Sequence, residues 1–586
     1  MENTNISREN PKIPKVVSIG AQSFDKLREG DYLYIDKTSF IKEWWESGDD
    51  VTLITRPRRF GKTLNMDMVR CFFSNEYMVR SDLFEGLSIW EDEKYHTLQG
   101  TFPVVFLSFA NAKGRDIDSI MGMIKRIIVQ AYRKHSAIMK ADCFSDGERA
   151  DFSDVRSGMP DFVAADSLNY LCEWLSRYYG KNPIILIDEY DTPMQEAWLC
   201  GCWDEISSFF RTFFNSTLKT NPHLERALLT GITRVAKESI FSDLNNLKVV
   251  SVTSDKYARC FGFTEEEVFA AMDAQGIDPS EKELVKKWYD GYVIGGERDI
   301  YNPWSVTYYL DVKRIGAHWG ETSSNGLVGR LLWEAEPRVK EELEDLMVEK
   351  SVEACIDEYI VFPNLDNADR EEIYSLLLAS GYMKAEKVQF FVDERDPIYT
   401  LSLTNFEIRK MFGHLIRRWF KGKGSRFNEF VSAMFKSDVF EMNEYINTVT
   451  LSIFSSFDTG KEPSEEKNPE RFYHGFVLGL LVDKAPDYVL RSNRESGYGR
   501  YDVVMEPKNR EDVAVIMEFK VQNAAAGEDS LEATADAALL QIEEKRYDAD
   551  LISKGIPEER IFKYGFAFRG KECLIKKGGT SPLAGS

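Results

Sequence analysis

The 586-residue sequence predicts an α/β protein whose N-terminal part is built around a parallel sheet. Four short apolar runs, rich in β-branched and aromatic residues, are typical of buried parallel strands. They are VTLIT (51–55), PVVFLSF (103–109), PIILIDE (183–189) and RALLTGI (226–232). Helical segments, among them 119–134 and 204–219, lie between these runs. The alternation predicts a layered domain with helices on both faces of the sheet.

Changes of pattern along the chain predict the domain borders. Residues 12–262 form the sheet domain, and residues 263–457 form a mostly helical middle region that begins with FTEEEVFAAMDAQG. The polar stretch DTGKEPSEEKNPE (458–470) is typical of a linker. The pattern of residues 471–577 alternates again between helical and strand segments and predicts a smaller α/β domain. Residues 578–586 are predicted to form a disordered tail.

Composition and charge argue against several classes of protein. The net charge of -22 argues against a protein that coats nucleic acid through its overall charge. The basic segment HLIRRWFKGKGSRF (414–427) leaves open either a basic channel or a solvated helix end. Eight cysteines and six histidines are dispersed without zinc-site spacing, and only Cys200 and Cys202 are close together. This distribution favours free thiols in a reducing compartment over a metal centre.

The sequence predicts a cytoplasmic protein without a membrane segment. No apolar run reaches the ~18 residues that a membrane-spanning helix needs. The N-terminal MENTNISRENPKIPK is polar and lacks the apolar centre of a signal peptide.

The strand VTLIT leads directly into RPRRFGKT, and a helical segment, LNMDMVRCFF, follows. A phosphate-binding loop usually has a glycine, four residues and then G-K-[ST], and here Arg56 stands at the position of the first glycine. In such a loop, backbone N–H groups and the helix N-terminus face the phosphates. Gly61 lets the phosphate approach the backbone. Lys62 is expected to reach the β- and γ-phosphates of ATP, and the Thr63 hydroxyl to ligate Mg²⁺.

Two other strands end in polar residues that fit the same site. Asp188 is expected to hold Mg²⁺ and Glu189 to polarise the attacking water, because ligands gather at the carboxyl ends of parallel strands. After the strand RALLTGI, Thr230 or Thr233 is expected to sense the γ-phosphate, and Arg234 to contact it. An ordinary surface arginine at a strand end remains the alternative for Arg234.

These stretches resemble the AAA-ATPase-like proteins of bacteria and archaea, which are P-loop ATPases of the ASCE type. The resemblance covers residues 12–310 and implies a P-loop NTPase fold, ATP binding and hydrolysis, and RPRRFGKT as the family's normal loop. It implies nucleotide contacts by Arg58, Arg59, Phe60, Gly61, Lys62, Thr63 and Leu64. It is carried by YLYIDKTSFI (32–41), LITRPRRFGKTLNM (53–66), PVVFLSF, IILIDEYDTP, LLTGITRVAKESIFSDLNNL (228–247), FGFTEEEV (261–268), WYDGY (288–292) and YNPWSV (301–306). We expect YNPWSV and WYDGY to pack a lid region on the nucleotide domain.

A second candidate site lies near the C-terminus. The apolar runs YDVVME (501–506) and VAVIMEFKV (513–521) flank a polar turn and predict a hairpin that brings Asp502 beside Glu518. Two carboxylates and the Phe519 carbonyl suit octahedral Mg²⁺. Lys520 is then placed to orient water and to stabilise charge on a scissile phosphate. A salt-bridged strand face is the alternative.

This pattern resembles the PD-(D/E)XK nuclease superfamily. RFYHGFVLGLL (471–481) matches the first helix of that module, and LLQIEEKRY (539–547) matches a later helix on which Gln541 holds a common active-site position. The resemblance implies a restriction-endonuclease-like α/β domain, although Tyr501 rather than proline precedes Asp502. Glu470 and Glu495 compete for the role of an accessory acid.

Together the motifs predict a protein that binds and hydrolyses ATP and that carries a Mg²⁺-dependent nuclease domain acting on DNA or RNA. The alternative is a signalling ATPase switch whose C-terminal domain only binds a partner or nucleic acid. A small-molecule kinase is less favoured because nothing downstream suggests an acceptor pocket. The sequence leaves a homo-oligomer open.

Overall fold

The computed structural model describes residues 14–233, 240–241, 244–319, 326–358, 362–391, 396–419, 427–447, 481, 487–494, 501–523, 527–569 and 572–579. Contacts divide the chain into two units. The first unit comprises Met1–Ser323 and Glu353–Glu407, and the second comprises Ser324–Val352 and Ile408–Ser586. The domain borders at 262/263, 457/458 and 470/471 remain predictions.

A five-stranded parallel sheet forms the centre of the first unit, in the order β2-β3-β4-β1-β5. All four predicted strands are present, and the short edge strand β5 was not predicted. The strands are β1 (Val51–Thr55), β2 (Val104–Ser108), β3 (Ile184–Asp188), β4 (Arg226–Gly231) and β5 (Leu247–Val250). The parallel register pairs Ser108 with Asp188 and Thr55 with Gly231, so the carboxyl ends of the strands lie along one edge.

Helices accompany this sheet in the predicted alternation. Their apolar faces are buried, as in α9, where four phenylalanines lie within one amphipathic stretch. The helices are α1 (Phe24–Glu29), α2 (Ser39–Glu46), α3 (Lys62–Phe73), α4 (Glu93–His96), α5 (Ile117–Lys134), α6 (Asp146–Asp154), α7 (Asp161–Tyr179), α8 (Thr192–Cys200) and α9 (Trp203–Leu218). None of the helices in the described part of the chain is both long and apolar enough to cross a membrane.

The middle region is helical, as predicted, and it also contains two small sheets. One has the order β6-β8-β7 and the other β10-β11-β9. Their strands have two to seven residues and mixed polarity, which gives a weak alternation signal in the sequence. The elements are β6 (Phe263–Thr264), α10 (Glu265–Ala274), α11 (Lys282–Tyr289), β7 (Tyr292–Ile294), β8 (Glu297–Tyr301), α12 (Pro303–Val312), α13 (Gly326–Glu334), α14 (Pro337–Met347), β9 (Val352–Cys355), α15 (Arg370–Ala379), β10 (Met383–Gln389), β11 (Ile398–Leu403), α16 (Phe406–Trp419) and α17 (Phe427–Lys436).

The second unit contains a mixed five-stranded sheet in the order β12-β13-β14-β15-β16. The predicted hairpin is the antiparallel pair β13–β14, and β14 pairs in parallel with β15. The elements are β12 (Tyr488–Arg494), β13 (Tyr501–Pro507), β14 (Ala514–Val521), α18 (Leu531–Glu544), α19 (Ala549–Ser553), β15 (Ile561–Arg569) and β16 (Glu572–Lys577). Apart from Leu481, the expected first helix at 471–481 lies outside the described residues, as do the linker and the tail from residue 580. In the basic segment 414–427, residues 420–426 and the side chains of Arg417 and Arg418 also lie outside them.

A helix at residues 439–447 covers the edge strand β16 of this sheet. The Asn443 amide donates to the carbonyl of Ile575 at 2.9 Å and accepts from its N–H at 2.8 Å. One helical turn later, Asn447 forms the same two bonds with Cys573, at 2.8 Å and 3.0 Å. The two asparagines therefore satisfy edge-strand groups that another strand would otherwise pair with.

We expect Asn443→Ala to lower the free energy of unfolding of the second unit by about 1–3 kcal/mol, because two buried backbone groups lose their partner. Phe440→Ala is the matched control, since that ring lies on the same helix and is 75% exposed. Denaturant melts of both variants, with hydrogen exchange at the Ile575 amide, measure the effect. Equal stability and equal exchange in the two variants would contradict this role of Asn443.

Candidate functional site

The loop between β1 and α3 has the predicted strand–loop–helix form. Gly61 has a φ of 79° and precedes α3, which begins at Lys62. Arg59 also has a positive φ, 62°. The left-handed conformation at Gly61 favours glycine and turns the chain into the N-terminus of α3, where backbone N–H groups are available to an anion.

Lys62 is buried, with 7% of its surface exposed. Its ammonium donates to the carbonyls of Arg56 at 2.9 Å and Pro57 at 2.7 Å. Burial lowers the pKa of Lys62 to about 8, although nearby carboxylates, first that of Glu189, act in the opposite direction. The cation is therefore held within the loop itself, at a cost that a bound anion would offset.

Asp188 ends β3 and connects the loop to the neighbouring strand. Its carboxylate accepts from the Thr63 hydroxyl at 2.8 Å and from the Thr230 hydroxyl at 2.6 Å. Burial raises the pKa of Asp188, and these two hydrogen bonds oppose the rise. A carboxylate and two hydroxyls are hard oxygen donors of the kind that Mg²⁺ takes, so the residues fit the expected ion.

Glu189 follows Asp188 with a φ of 51°, a conformation that is uncommon for a residue other than glycine. The turn leaves its side chain half-buried at the end of β3, where its carboxylate accepts from the Thr192 hydroxyl at 3.2 Å. The position next to the Asp188 carboxylate is the one expected for a residue that orients water. Strain of this kind is typical of functional sites.

The structure adds Asp191 and Tyr190, whose roles were not predicted. The Asp191 carboxylate is buried and accepts from the backbone N–H of Ile232 at 2.8 Å and of Thr233 at 3.0 Å. The Tyr190 hydroxyl donates to the Thr233 carbonyl at 2.9 Å. The signal in the sequence was the third acid of IDEYD, Asp191, which lies in the turn after the strand.

Thr230 and Thr233, the two candidates for sensing the γ-phosphate, each donate a hydrogen bond to a buried carboxylate. Thr230 donates to Asp188, and the Thr233 hydroxyl donates to Asp191 at 3.2 Å. Burial raises the pKa of Asp191. Arg234 lies outside the described residues. The end of β4 and the two residues after it are thus hydrogen-bonded to both aspartates of the neighbouring motif, Asp188 and Asp191.

The YNPWSV and WYDGY segments contact the loop, as expected of a lid, and Trp319, farther along the chain, belongs to the same lid. The carbonyl of Arg58 accepts from the Asn302 amide at 3.4 Å and from the Trp319 indole at 3.2 Å. The Arg59 guanidinium lies 3.6 Å from the centre of the Trp304 ring. These contacts connect the backbone of the phosphate loop to residues more than 240 positions away.

The side chains of the loop are placed mainly against this lid. Phe60 is buried and contacts Tyr292 of WYDGY, with ring centres 4.8 Å apart. The Arg58 guanidinium donates to the Gln195 amide at 3.3 Å. Leu64 is half-buried in the first turn of α3. Of the residues expected to contact a nucleotide, Phe60 and Arg59 therefore use their side chains for the lid.

The second candidate site lies on β14. Glu518 is fully buried, and its carboxylate accepts from the amide of Gln541, which lies on α18. The register places Asp502 directly opposite Glu518, although the side chain of Asp502 lies outside the described residues. Opposite residues of an antiparallel pair share a face of the sheet, so the predicted pairing of the two acids agrees with the backbone.

The neighbours of Glu518 on β14 differ in environment. Phe519 is buried and stacks on Phe566, with ring centres 4.7 Å apart, while Lys520 is half-buried. Within the described part of the chain, no group of three or more histidine, cysteine or acidic side chains is arranged to hold a metal ion. The carboxylate of Glu518 and the carbonyl of Phe519 are nonetheless the oxygen donors that a hard cation takes.

Two parts of the chain match known protein families. Residues 18–241 match the family described as predicted AAA-ATPase. Residues 468–578 match the PD-(D/E)XK nuclease superfamily. The chain therefore joins an AAA-ATPase-like domain to a nuclease-superfamily domain. Both resemblances in the sequence are confirmed.

A relative over nearly the whole length is a protein of Azotobacter chroococcum mcd 1 described as an uncharacterized protein in the vnfD 5'region. It is 26% identical over 558 residues, which cover 93% of this chain and 95% of that protein.

Two solved structures show distant likeness, each at 11% identity. One is a signal transduction ATPase with numerous domains (STAND) with a tetratricopeptide repeat sensor from Pyrococcus horikoshii, with a TM-score of 0.22 over 77% of this chain. The match spans 56% of that protein's length. The other is the Aeropyrum pernix ORC2 protein, with a TM-score of 0.23 over 70% of this chain and 97% of that one. TM-scores this low establish nothing about a shared overall arrangement.

We expect ATP affinity to fall as the pH rises above about 8. The pKa of Lys62 is about 8 in the free protein, and bound phosphates raise it, so binding must take up a proton once the free ammonium has lost its own. The dissociation constant should rise by up to about tenfold per pH unit there and change little close to pH 7, where Lys62 is still protonated.

Calorimetric titration with a non-hydrolysable ATP analogue, in two buffers of different ionisation enthalpy, counts the protons taken up. Lys62→Arg is the control, because a guanidinium keeps its proton over this whole range and should give a flatter profile. Parallel profiles for the wild-type protein and Lys62→Arg would show that Lys62 does not carry the titration.

Proposed function

We propose that the first unit binds and hydrolyses ATP and that the second unit cleaves nucleic acid with the help of Mg²⁺. The observation that carries the ATPase part is the Asp188 carboxylate, which accepts from the hydroxyls of Thr63 and Thr230 at the carboxyl edge of a parallel sheet. The match to the AAA-ATPase family over residues 18–241 supports the same conclusion.

Each residue of this site has one task in the proposed hydrolysis. The ammonium of Lys62 leaves the carbonyls of the loop and neutralises the β- and γ-phosphates. Thr63 and Asp188 would hold Mg²⁺, which would supply further neutralisation of the phosphate charge. Glu189 orients a water molecule in line with the γ-phosphorus and accepts its proton.

The nuclease part rests on Glu518 and its surroundings. A fully buried carboxylate is unfavourable unless it is hydrogen-bonded or binds a cation, and here the Gln541 amide holds one of its oxygens. Asp502 lies opposite in the register, and Lys520 follows two residues later on β14. Together with the match to PD-(D/E)XK proteins over residues 468–578, this supports Asp502, Glu518 and the Phe519 carbonyl as the metal ligands.

The second candidate function is an ATP-driven switch whose nuclease-like unit binds a partner or nucleic acid without cutting it. The net charge of -22 favours the form of this alternative that binds a partner other than nucleic acid, because an acidic chain repels a polyanion wherever no local basic channel exists. The two functions share the ATPase and differ only in whether the Glu518 site performs chemistry.

We expect two variants to separate ATP binding from hydrolysis. Lys62→Ala should weaken ATP binding by at least about tenfold, because the cation that contacts the phosphates is lost. Glu189→Gln should bind ATP normally and turn over at least about 100-fold more slowly, because an amide cannot accept the proton from water. Binding titrations and phosphate release measure the two effects. Unchanged hydrolysis in Glu189→Gln would remove this residue from the role of base.

We expect metal-dependent cleavage of DNA or RNA by the wild-type protein, and Glu518→Ala should reduce the rate by about 100-fold or more through loss of a metal ligand. Glu559→Ala, an exposed glutamate of the same unit, is the matched control. Panels of single- and double-stranded substrates with Mg²⁺, with and without ATP, measure cleavage. Absence of cleavage by the wild-type protein in every condition, together with ATP-dependent binding of the same substrates, would favour the switch.

A further inference from the structure

Arg56 stands where phosphate loops usually have their first glycine. A glycine is required there only if the backbone adopts a conformation closed to other residues. Positive φ angles in this loop occur at Arg59 and Gly61, and Arg56 has none. The turn at the end of β1 is therefore built differently, and position 56 is free to carry a side chain.

That side chain is fully buried, with 0% of its surface exposed. The guanidinium donates to the carbonyl of Ser251 at 2.5 Å, to that of Thr55 at 3.0 Å and to that of Lys256 at 3.2 Å. A weaker contact of 3.4 Å reaches the carbonyl of Val250, the last residue of β5. One side chain thus joins the end of β1 to the end of β5 and to the loop that follows it.

A buried guanidinium normally has a carboxylate partner, because an unpaired buried charge is costly. Among the described residues, no carboxylate is bonded to Arg56, and its Nε is buried without an acceptor. Burial lowers the pKa of Arg56 to about 10, so the group still carries its charge at neutral pH. An apolar side chain could fill the same space without the cost of burying a charge. The buried charge of Arg56 and its hydrogen bonds to several carbonyls therefore indicate a specific role for this side chain.

The backbone of Arg56 connects this anchor to the phosphate-binding residue. Its N–H donates to the carbonyl of Gly231, at the end of β4, at 3.2 Å. Its carbonyl receives the ammonium of Lys62 at 2.9 Å. The next residue, Pro57, lies so close to Gly381 that a Cβ there would be 2.7 Å from the proline ring. Side chain and backbone together fix the start of the loop.

We propose that Arg56 is the positioning residue of the phosphate loop, which takes the place of the first glycine by fastening the start of the loop to β5 through carbonyl groups. Arg56 thereby fixes the position of the Lys62 ammonium before a phosphate binds, and it fixes the orientation of the backbone N–H groups of the loop. The inference rests on the proposed ATP binding and names the residue that gives this variant loop its shape.

The test compares Arg56→Gly and Arg56→Lys with the wild-type protein, all as full-length chains, by KM and kcat for ATP and by thermal melting. Arg56→Gly restores the usual loop sequence, yet we expect KM to rise at least about tenfold with kcat within about threefold, because the loop contacts the phosphates in ground and transition state alike. Arg56→Lys keeps the charge, but its single ammonium nitrogen cannot reproduce the fork by which two guanidinium nitrogens reach the carbonyls of Ser251 and Lys256, and KM should rise by at least about threefold.

Arg226→Lys is the matched control, because the Arg226 guanidinium also donates to backbone carbonyls, those of Trp44 and Trp45, at the other end of β4. It should lower the melting temperature and leave KM unchanged. A general loss of folded protein lowers kcat and leaves KM alone, so the split between the two constants separates positioning from folding.

A wild-type KM in Arg56→Gly would overturn the inference while leaving the ATPase intact. If Arg56→Gly does not fold, a wild-type KM in Arg56→Lys would overturn it equally. A wild-type protein that neither binds nor hydrolyses ATP, with Lys62→Ala indistinguishable from it, would instead overturn the proposed function on which the inference rests.

Discussion

The hydrogen bonds of one buried carboxylate hold the candidate nucleotide site together. Asp188 receives Thr63 from the first turn of α3 and Thr230 from β4, so three segments of the chain meet at a single group. The bonds also reduce the cost of burying the carboxylate. They exist only because the parallel register brings the ends of β1, β3 and β4 to one edge of the sheet. Asp191, three residues after Asp188, has a similar role, because its carboxylate accepts from the backbone N–H and the hydroxyl of Thr233.

The phosphate loop is held from two sides. On one side Arg56 bonds to the end of β5, and on the other the Arg58 carbonyl accepts from Asn302 and Trp319 of the lid. The lid is itself fixed by the buried Glu407, which accepts from the Ser305 hydroxyl at 2.7 Å and from the Trp319 N–H at 2.6 Å. A ligand that favours another shape of the loop would therefore also change the stability of the lid contacts.

The local patterns of the sequence predicted much of this. Four of the five strands of the first sheet, the strand–loop–helix around Lys62 and the β13–β14 hairpin follow from runs of apolar residues and the turns between them. The expectation that Gln541 belongs to the same site as Glu518 came from a family resemblance rather than from spacing, and the hydrogen bond between them is a finding of the structure. The short strand β5 and the two small sheets of the middle region were not predicted, because strands of few residues and mixed polarity show no clear alternation of apolar and polar residues.

The sequence by itself determined which residues are the candidates for the proposed chemistry, since Lys62, Asp188, Glu189 and Glu518 each lie in a short motif whose spacing has a physical meaning. The tertiary structure alone decided what holds them in place. Arg56 and Ser251 are 195 residues apart in the chain, and Arg58 and Trp319 are 261 apart. Hydrogen bonds of this kind join backbone carbonyls, which every residue has, to side chains far away. No local pattern can therefore reveal which carbonyl will be the acceptor.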